Sequence, residues 1–143
     1  MPARNGALSN SYFGTEEYIP PEALSFGPSS SPRFENDLWS LGVIVWQMFN
    51  SANQTPFKGA SQEETFKRIK EYDLDLTDNA FGHSVPDVAK DLIGKLVQKA
   101  PEKRLGAIDL KELKRHPFFE GIDFNTLYST ESPLEAKFRK LTL

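Results

Sequence analysis

The sequence is dominated by one apolar run, which follows Asp37 and ends at Phe49. Nine of the twelve residues from 38 to 49 are large and apolar, and both tryptophans lie among them. At helical spacing these side chains point to every side, so the run predicts a central helix that protein covers all round. It is too short to span a membrane, which takes about 20 residues. We expect Asp37 to cap this helix, because a carboxylate there accepts hydrogen bonds from free amide groups.

Composition excludes several classes of function. A chain of 143 residues predicts one domain, and a net charge of -3 with a pI near 5.4 gives no reason to expect nucleic acid or an anionic membrane as partner. There is no cysteine, and His83 and His116 are too far apart to suggest a metal site. No signal peptide or second apolar run is present, so we expect a soluble, cytoplasmic protein without a membrane span.

Capping signals and apolar periodicity predict the other helices, and the fold class is therefore mainly α. Ser61 and Glu64 form a capping box for a helix that should run to about Tyr72. Residues 84–87 form a second capping box before an amphipathic helix. Its predicted inward-facing side chains are Val88, Leu92, Ile93, Leu96 and Val97. Shorter helices are expected to begin at Pro21, with proline in the first turn, and at Ile108. No strand is predicted.

Four short motifs follow one another along the chain. They are Gly14-Thr15-x-x-Tyr18-x-x-Pro21-Glu22, Asp37-x-Trp39-Ser40-x-Gly42, Lys103-Arg104-Leu105-Gly106 and His116-Pro117-Phe118-Phe119. In this order and with these gaps they resemble the C-terminal lobe of a eukaryotic protein kinase domain. The resemblance covers about residues 10–133. It is greatest to the AGC group, and within it to the phosphoinositide-dependent kinases.

This resemblance implies that the chain is an incomplete, helical lobe and that its sequence divides into three parts. Residues 1–13 would be part of an activation loop, residues 14–119 the lobe fragment with the substrate loop and the family's helices F to I, and residues 120–143 a C-terminal extension. The N-terminal lobe and the catalytic loop would lie upstream of Met1.

The resemblance also implies roles in a substrate loop. Gly14, Thr15 and Tyr18 would line the site of the protein substrate, and Ser11 matches the position of an activating phosphoserine. One departure is Pro20, where the family usually has alanine or serine. Proline fixes its own φ and restricts the residue before it to extended conformations, so the shape of the loop is expected to differ slightly.

Three further residues are expected to support the lobe. Glu22 and Arg104 would form a buried ion pair, and Asp37 would hold the backbone of the catalytic loop. Without the resemblance, Glu22 and Arg104 would be ordinary solvated charges, because charged side chains are mostly exposed.

Phosphoryl transfer requires groups that the sequence does not contain. Kinases use a glycine-rich loop, a paired lysine and glutamate, a catalytic-loop aspartate and a metal-binding Asp-Phe-Gly, and none occurs in the 143 residues. The full kinase is expected to transfer phosphate from ATP, with Mg²⁺, to serine or threonine of signalling proteins, other AGC kinases being candidates. This chain is expected to supply no catalytic, cofactor-binding or metal-binding residue, to be inactive alone, and to require the N-terminal half of its own domain.

Two other readings stay open. The chain could act as a non-catalytic, kinase-derived interaction module, or it could be an unrelated helical adaptor with chance motifs. In either kinase-derived case we expect apolar surface of the central helix to be exposed, because helices of the absent half would cover it, and such surface promotes association.

Overall fold

The computed structural model describes residues 15–26, 33–71, 73–134 and 137. Within these ranges the chain is helical and contains no strand, as the sequence predicted. Three 3-10 turns lie between or beside the helices, at Glu16–Tyr18, Pro101–Lys103 and Pro117–Phe119. The α-helices are α1 (Pro21–Phe26), α2 (Phe34–Phe49), α3 (Gln62–Glu71), α4 (Asp78–Phe81), α5 (Asp87–Leu96) and α6 (Leu110–Lys114).

Helix α2 contributes the centre of the core, but it begins earlier than the sequence predicted. Trp39 and Val43 are fully buried, and Trp46 is 5% exposed. The residue before the helix is Arg33, whose side chain makes no capping hydrogen bond, and Asp37 lies in the first turn. The prediction that Asp37 is the N-cap was therefore wrong, although a carboxylate in the first turn still interacts favourably with the helix dipole.

One side of α2 is open to solvent. Phe34, Ile44 and Met48 are 48%, 44% and 77% exposed. Together with Leu41 they recur at helical spacing, so they form one apolar stripe, which we call the α2 stripe. The prediction that protein covers every face of this helix is wrong for the part of the chain described here. The expected exposure of apolar surface on the central helix is confirmed.

The opposite side of α2 packs against α5 at very short range. A Cβ atom added to Gly42 would lie 2.6 Å from Val97 Cγ2 and 2.8 Å from Leu96 Cβ. Any side chain at position 42 would therefore separate the two helices. Glycine is required here by the contact rather than by the backbone conformation.

The start of α5 differs from its prediction. The helix begins at Asp87 after Pro86, so Ser84 is not its cap and the second capping box was wrong. Val85 is instead held in the preceding loop, because its side chain is buried and its N–H donates to Asp78 Oδ1 at 3.1 Å. Leu92, Ile93, Leu96 and Val97 are buried as predicted, whereas Val88 is 37% exposed and was placed wrongly.

The serine half of the α3 capping box is confirmed, whereas the Glu64 carboxylate accepts the N–H of the residue before the cap rather than that of Ser61. Ser61 Oγ accepts a hydrogen bond from the Glu64 N–H at 3.2 Å, and Glu64 Oε2 accepts one from the Ala60 N–H at 2.8 Å. Ile69 is fully buried and Phe66 packs partly buried against the core, as their spacing predicted. Helix α1 begins at Pro21, also as predicted.

Helix α6 is shorter than expected. It begins at Leu110 rather than Ile108, because Asp109 caps it by accepting a hydrogen bond from the Lys111 N–H at 2.9 Å. Across the described ranges, every helix is too short or too polar to cross a bilayer.

Candidate functional site

A buried arginine ties the beginning of the described chain to its later part. Arg104 follows the Pro101–Lys103 turn and is 2% exposed. Its Nη1 and Nη2 atoms donate to the two carboxylate oxygens of Glu22, on α1, at 2.7 and 2.8 Å. The ion pair that the resemblance implied is present, with the parallel two-bond geometry that only a guanidinium can provide.

This arginine makes two further hydrogen bonds, both to backbone oxygens. Its Nη1 donates to the backbone oxygen of Glu35 at 2.7 Å, and its Nε donates to the backbone oxygen of Gln98 at 2.9 Å. Its guanidinium carbon lies 5.3 Å from the centre of the Trp39 ring, within the range of a cation–π contact. One side chain thus connects α1, the start of α2 and the segment after α5. Such a pair is costly to break, because loss of one partner leaves a buried charge uncompensated.

The segment before α1 is held against α2 by Tyr18. The Tyr18 hydroxyl donates to Gln47 Oε1 at 2.6 Å, and Ser40 Oγ donates to the Tyr18 backbone oxygen at 2.9 Å. Both partners come from α2, so the same helix fixes the side chain and the backbone of this residue.

Two acidic side chains of the same segment are held by neutral donors. The Thr55 hydroxyl donates to the Glu17 carboxylate, and the Gln62 amide donates to Glu16 Oε1. Thr55 is buried in the loop between α2 and α3, and Gln62 opens α3. Sequence reasoning missed both contacts. No local signal could have found them, because the paired residues are 38 and 46 positions apart.

Pro20 directs this segment into α1. Ile19 before it is extended, with φ -73° and ψ 129°, as a residue preceding proline is expected to be. The Pro20 backbone oxygen accepts hydrogen bonds from the N–H groups of Ala23, at 3.1 Å, and Leu24, at 3.4 Å. The departure from the family's usual residue is therefore compatible with an ordered turn and helix start.

For the other predicted site residues, the structure gives no contact that tests their expected roles. Thr15 is exposed before the Glu16–Tyr18 turn, and its side chain makes no capping hydrogen bond. Asp37 is exposed, and in the described part of the chain its carboxylate has no hydrogen-bond or ion-pair partner. Ser11 and Gly14 lie outside the described residues. The roles assigned to all of these residues stay predictions, as does the division at residues 13 and 119.

Within residues 15–26, 33–71, 73–134 and 137, no three His, Cys, Asp or Glu side chains are grouped so that they could hold a metal ion. The expectation that this chain supplies no cofactor-binding or metal-binding residue stays a prediction.

His116 is buried and joins two elements of the fold. It is 5% exposed, its Nε2 lies 2.9 Å from Asp91 Oδ2, and its Nδ1 accepts a hydrogen bond from the Phe118 N–H at 3.2 Å. The hydrogen bond from Lys95, followed by that from His116, holds the pKa of Asp91 below its usual range. The imidazole therefore caps the Pro117–Phe119 turn and joins it to α5.

Comparison with known proteins agrees with this architecture. The family model described as the protein kinase domain matches residues 2–119. The chain is 38% identical over 129 residues to the serine/threonine-protein kinase OXI1 of Arabidopsis thaliana, covering 90% of this chain and 27% of that protein. It is 39% identical over 124 residues to 3-phosphoinositide-dependent protein kinase 1 of the same plant, covering 85% of this chain and 23% of that protein. Flippase kinase 1 of Saccharomyces cerevisiae is 35% identical over 131 residues, covering 91% of this chain and 14% of that protein.

Two findings thus agree: the described chain is helical with a buried glutamate–arginine pair, and a family model matches residues 2–119. The chain belongs to the protein kinase domain family. With the two plant relatives it belongs to the AGC group of that family. It spans about a quarter of the length of these two relatives, or 27% and 23%.

Proposed function

We propose that this chain is the C-terminal part of the catalytic domain of a cytoplasmic serine/threonine protein kinase of the phosphoinositide-dependent type. The observation that carries the proposal is the buried, two-bond pair of Glu22 and Arg104, which fixes the segment containing Tyr18 against α2. The relatives named serine/threonine-protein kinase and 3-phosphoinositide-dependent protein kinase support the proposed activity.

In this function the segment around Thr15 and Tyr18 receives a protein substrate. Tyr18 is anchored by α2, and Glu22 is anchored by Arg104, so the backbone between them is held before a substrate arrives. Prior ordering of this kind lowers the entropy lost when reacting groups are brought together. Gly14 would complete the substrate loop, and phosphorylation of Ser11 would order the chain before it through added negative charge.

Asp37 has a separate proposed role. Its exposed carboxylate lies in the first turn of α2, so it is free to accept backbone N–H groups of a catalytic loop. That loop, and the groups that hold ATP and Mg²⁺, would come from the N-terminal half of the domain. The chain alone therefore transfers no phosphate. A transfer assay with labelled ATP and the purified 143-residue chain should show no labelled product.

A chimera tests the positive part of the proposal. The N-terminal part of the catalytic domain of the Arabidopsis 3-phosphoinositide-dependent protein kinase 1, through its Asp-Phe-Gly, would be joined to this chain. We expect the chimera to label a peptide on serine or threonine. Thr15→Ala should lower the rate roughly tenfold or more, because positioning of the acceptor is lost. Thr130→Ala, a change in an exposed turn, is the matched control and should leave the rate unchanged.

A chimera that folds but transfers no phosphate would contradict the kinase proposal. It would favour the alternative, a non-catalytic interaction module, for which the exposed apolar α2 stripe is the supporting observation. Turnover by the chain alone would contradict the claim that it lacks the required groups.

A further inference from the structure

The Pro117–Phe119 turn is capped by a buried histidine whose protonation state the contacts define. His116 is 5% exposed, and its Nδ1 accepts a hydrogen bond from the Phe118 N–H at 3.2 Å. A ring nitrogen that accepts a hydrogen bond carries no hydrogen of its own, so the imidazole is neutral and its proton lies on Nε2. Nε2 therefore donates to Asp91 Oδ2, which is 2.9 Å away.

The Asp91 carboxylate keeps its charge over the pH range in which histidine titrates. Lys95 Nζ lies 2.6 Å from the same oxygen, Oδ2. The hydrogen bond from Lys95, followed by that from His116, holds the pKa of Asp91 below its usual range. Histidine is the side chain whose charge ordinarily changes between pH 5 and 8. In this group of three side chains, a second proton can therefore enter only at His116 Nδ1.

The other charged side chains near this histidine have mixed signs. Lys114, Arg115 and Glu120 line a cavity of about 530 Å³ together with His116. All three are exposed, so solvent and salt screen their charges. With the ion pair on α5 they make three positive and two negative groups. The surroundings thus carry no excess of negative charge that would hold an imidazolium, and the hydrogen bond to Nδ1 favours the neutral ring.

The turn also holds a row of aromatic rings. Phe118 meets Phe49 of α2 with ring centres 6.3 Å apart, and it meets Phe119 at 5.2 Å. Phe119 in turn meets Phe124, which lies in the segment after the turn, at 5.5 Å. All three contacts are edge-to-face, an arrangement that aromatic pairs favour. The turn therefore connects Phe124 to α2.

We propose that the His116 cap is a pH-sensitive switch, which on acidification releases the Pro117–Phe119 turn and with it the segment around Phe124. A proton on Nδ1 would point at the Phe118 N–H, and two donors cannot share a hydrogen bond. Nδ1 therefore takes up a proton only in an open form of the turn, in which this N–H has left it. A ligand that binds one of two forms shifts the population toward that form, so protons favour the open turn.

Amide hydrogen exchange of the full chain, followed by NMR at about pH 7.5 and about pH 5.5, tests the switch. Protection factors are compared, because they correct for the intrinsic exchange rate at each pH. An unconstrained histidine titrates at about pH 6.5, so one proton taken up on opening should lower the protection factor of the Phe118 amide about tenfold. The Val97 amide, which donates to the Ile93 backbone oxygen at 2.9 Å, should keep its protection factor.

Two variants assign the effect to one histidine. His116→Asn keeps an acceptor at the cap but does not titrate, so the Phe118 amide should be equally protected at both pH values. His83→Asn is the matched control, because His83 is the other histidine of the chain and its Nε2 lies 2.7 Å from the Phe49 backbone oxygen. This control should retain the tenfold fall in protection.

If His116→Asn does not fold, wild type and His83→Asn still decide the question, because the chain has only two histidines. The proposal is overturned if the wild-type Phe118 amide has the same protection factor at both pH values. It is also overturned if His83→Asn abolishes the fall, or if a folded His116→Asn retains it.

Discussion

Arg104 is the residue on which the described fold depends most. A guanidinium that is 2% exposed is tolerated because each of its three nitrogens donates to Glu22 or to a backbone oxygen. The partners are 82 positions apart, so nothing local in the sequence links them. Only the resemblance to a known family predicted this contact. Burial of the pair could not be derived from composition or periodicity.

The first prediction concerns the loss of this arginine. Arg104→Ala should lower the free energy of unfolding by about 3–5 kcal/mol, because it leaves the Glu22 carboxylate without its partner. Arg104→Lys should also destabilise, since an ammonium group cannot make two parallel bonds. Urea unfolding followed by circular dichroism measures both changes.

The control for this prediction is Arg33→Ala. Arg33 pairs with Glu35 at 3.0 Å, but its side chain is 57% exposed, so solvent screens the pair and its loss should cost much less than the loss of Arg104. Equal costs for the two arginines would mean that Arg104 is not buried as described.

The second prediction concerns pH. The hydrogen bond from Lys90, followed by that from the Val85 N–H, holds the pKa of Asp78 below its ordinary value of 3.8. Because the folded pKa is the lower one, Asp78 contributes stability above about pH 4 that is lost as the pH falls through the folded pKa. The difference in unfolding free energy between wild type and Asp78→Asn should therefore be present at neutral pH and shrink below about pH 4.

The comparison for this measurement is Asn79→Ala, a change at an exposed neighbour that does not titrate. Its effect on unfolding free energy should be the same at every pH. A difference for Asp78→Asn that stays constant down to pH 2 would contradict the assigned hydrogen bonds.

Among the elements, α3 was predicted well and the starts of α2 and α5 were not. The serine half of the α3 capping box acts between neighbours in sequence, so the signal and the contact coincide. At α5, the Val85 N–H is taken by Asp78 from an earlier helix, and this tertiary contact overrides the local signal at Ser84. At α2, the apolar run marked the buried part of the helix but not its first turn.

The third prediction concerns the contact between α2 and α5. Gly42→Ala should lower the unfolding free energy by about 1–3 kcal/mol, because the added methyl group overlaps Val97 and Leu96 and forces the helices apart. The matched change Gly94→Ala meets only the end of the Leu76 side chain at 3.2 Å, and alanine favours the helix. It should be neutral or stabilising. Identical effects of the two substitutions in thermal melts would contradict the close approach.

At the scale of the whole molecule, the exposed α2 stripe is the feature that we expect to promote association. A core forms around Trp39, Val43 and α5, but Phe34, Ile44 and Met48 remain at the surface. The sequence alone showed that the run was apolar. It could not show which side would lack a partner, because that depends on which elements are present to cover it.

The fourth prediction follows from this stripe. The purified chain should associate, and the double variant Ile44→Glu, Met48→Glu should shift it toward monomer in sedimentation velocity. Ile108→Glu changes a residue that is 90% exposed but lies outside the stripe, and it should have little effect. A sharp cooperative melt of a monomeric wild-type chain would contradict the expectation.

The central claim is that α2 and Arg104 hold the segment before and within α1 in a fixed form. Amide hydrogen exchange tests this directly, because the N–H groups of Ile19, Ala23 and Leu24 are hydrogen-bonded within that segment. In wild type these amides should be protected, and in Arg104→Ala they should exchange much faster while those of α5 change less. Equal exchange in the two proteins, or no protection in wild type, would show that the segment is not held by the Glu22–Arg104 pair.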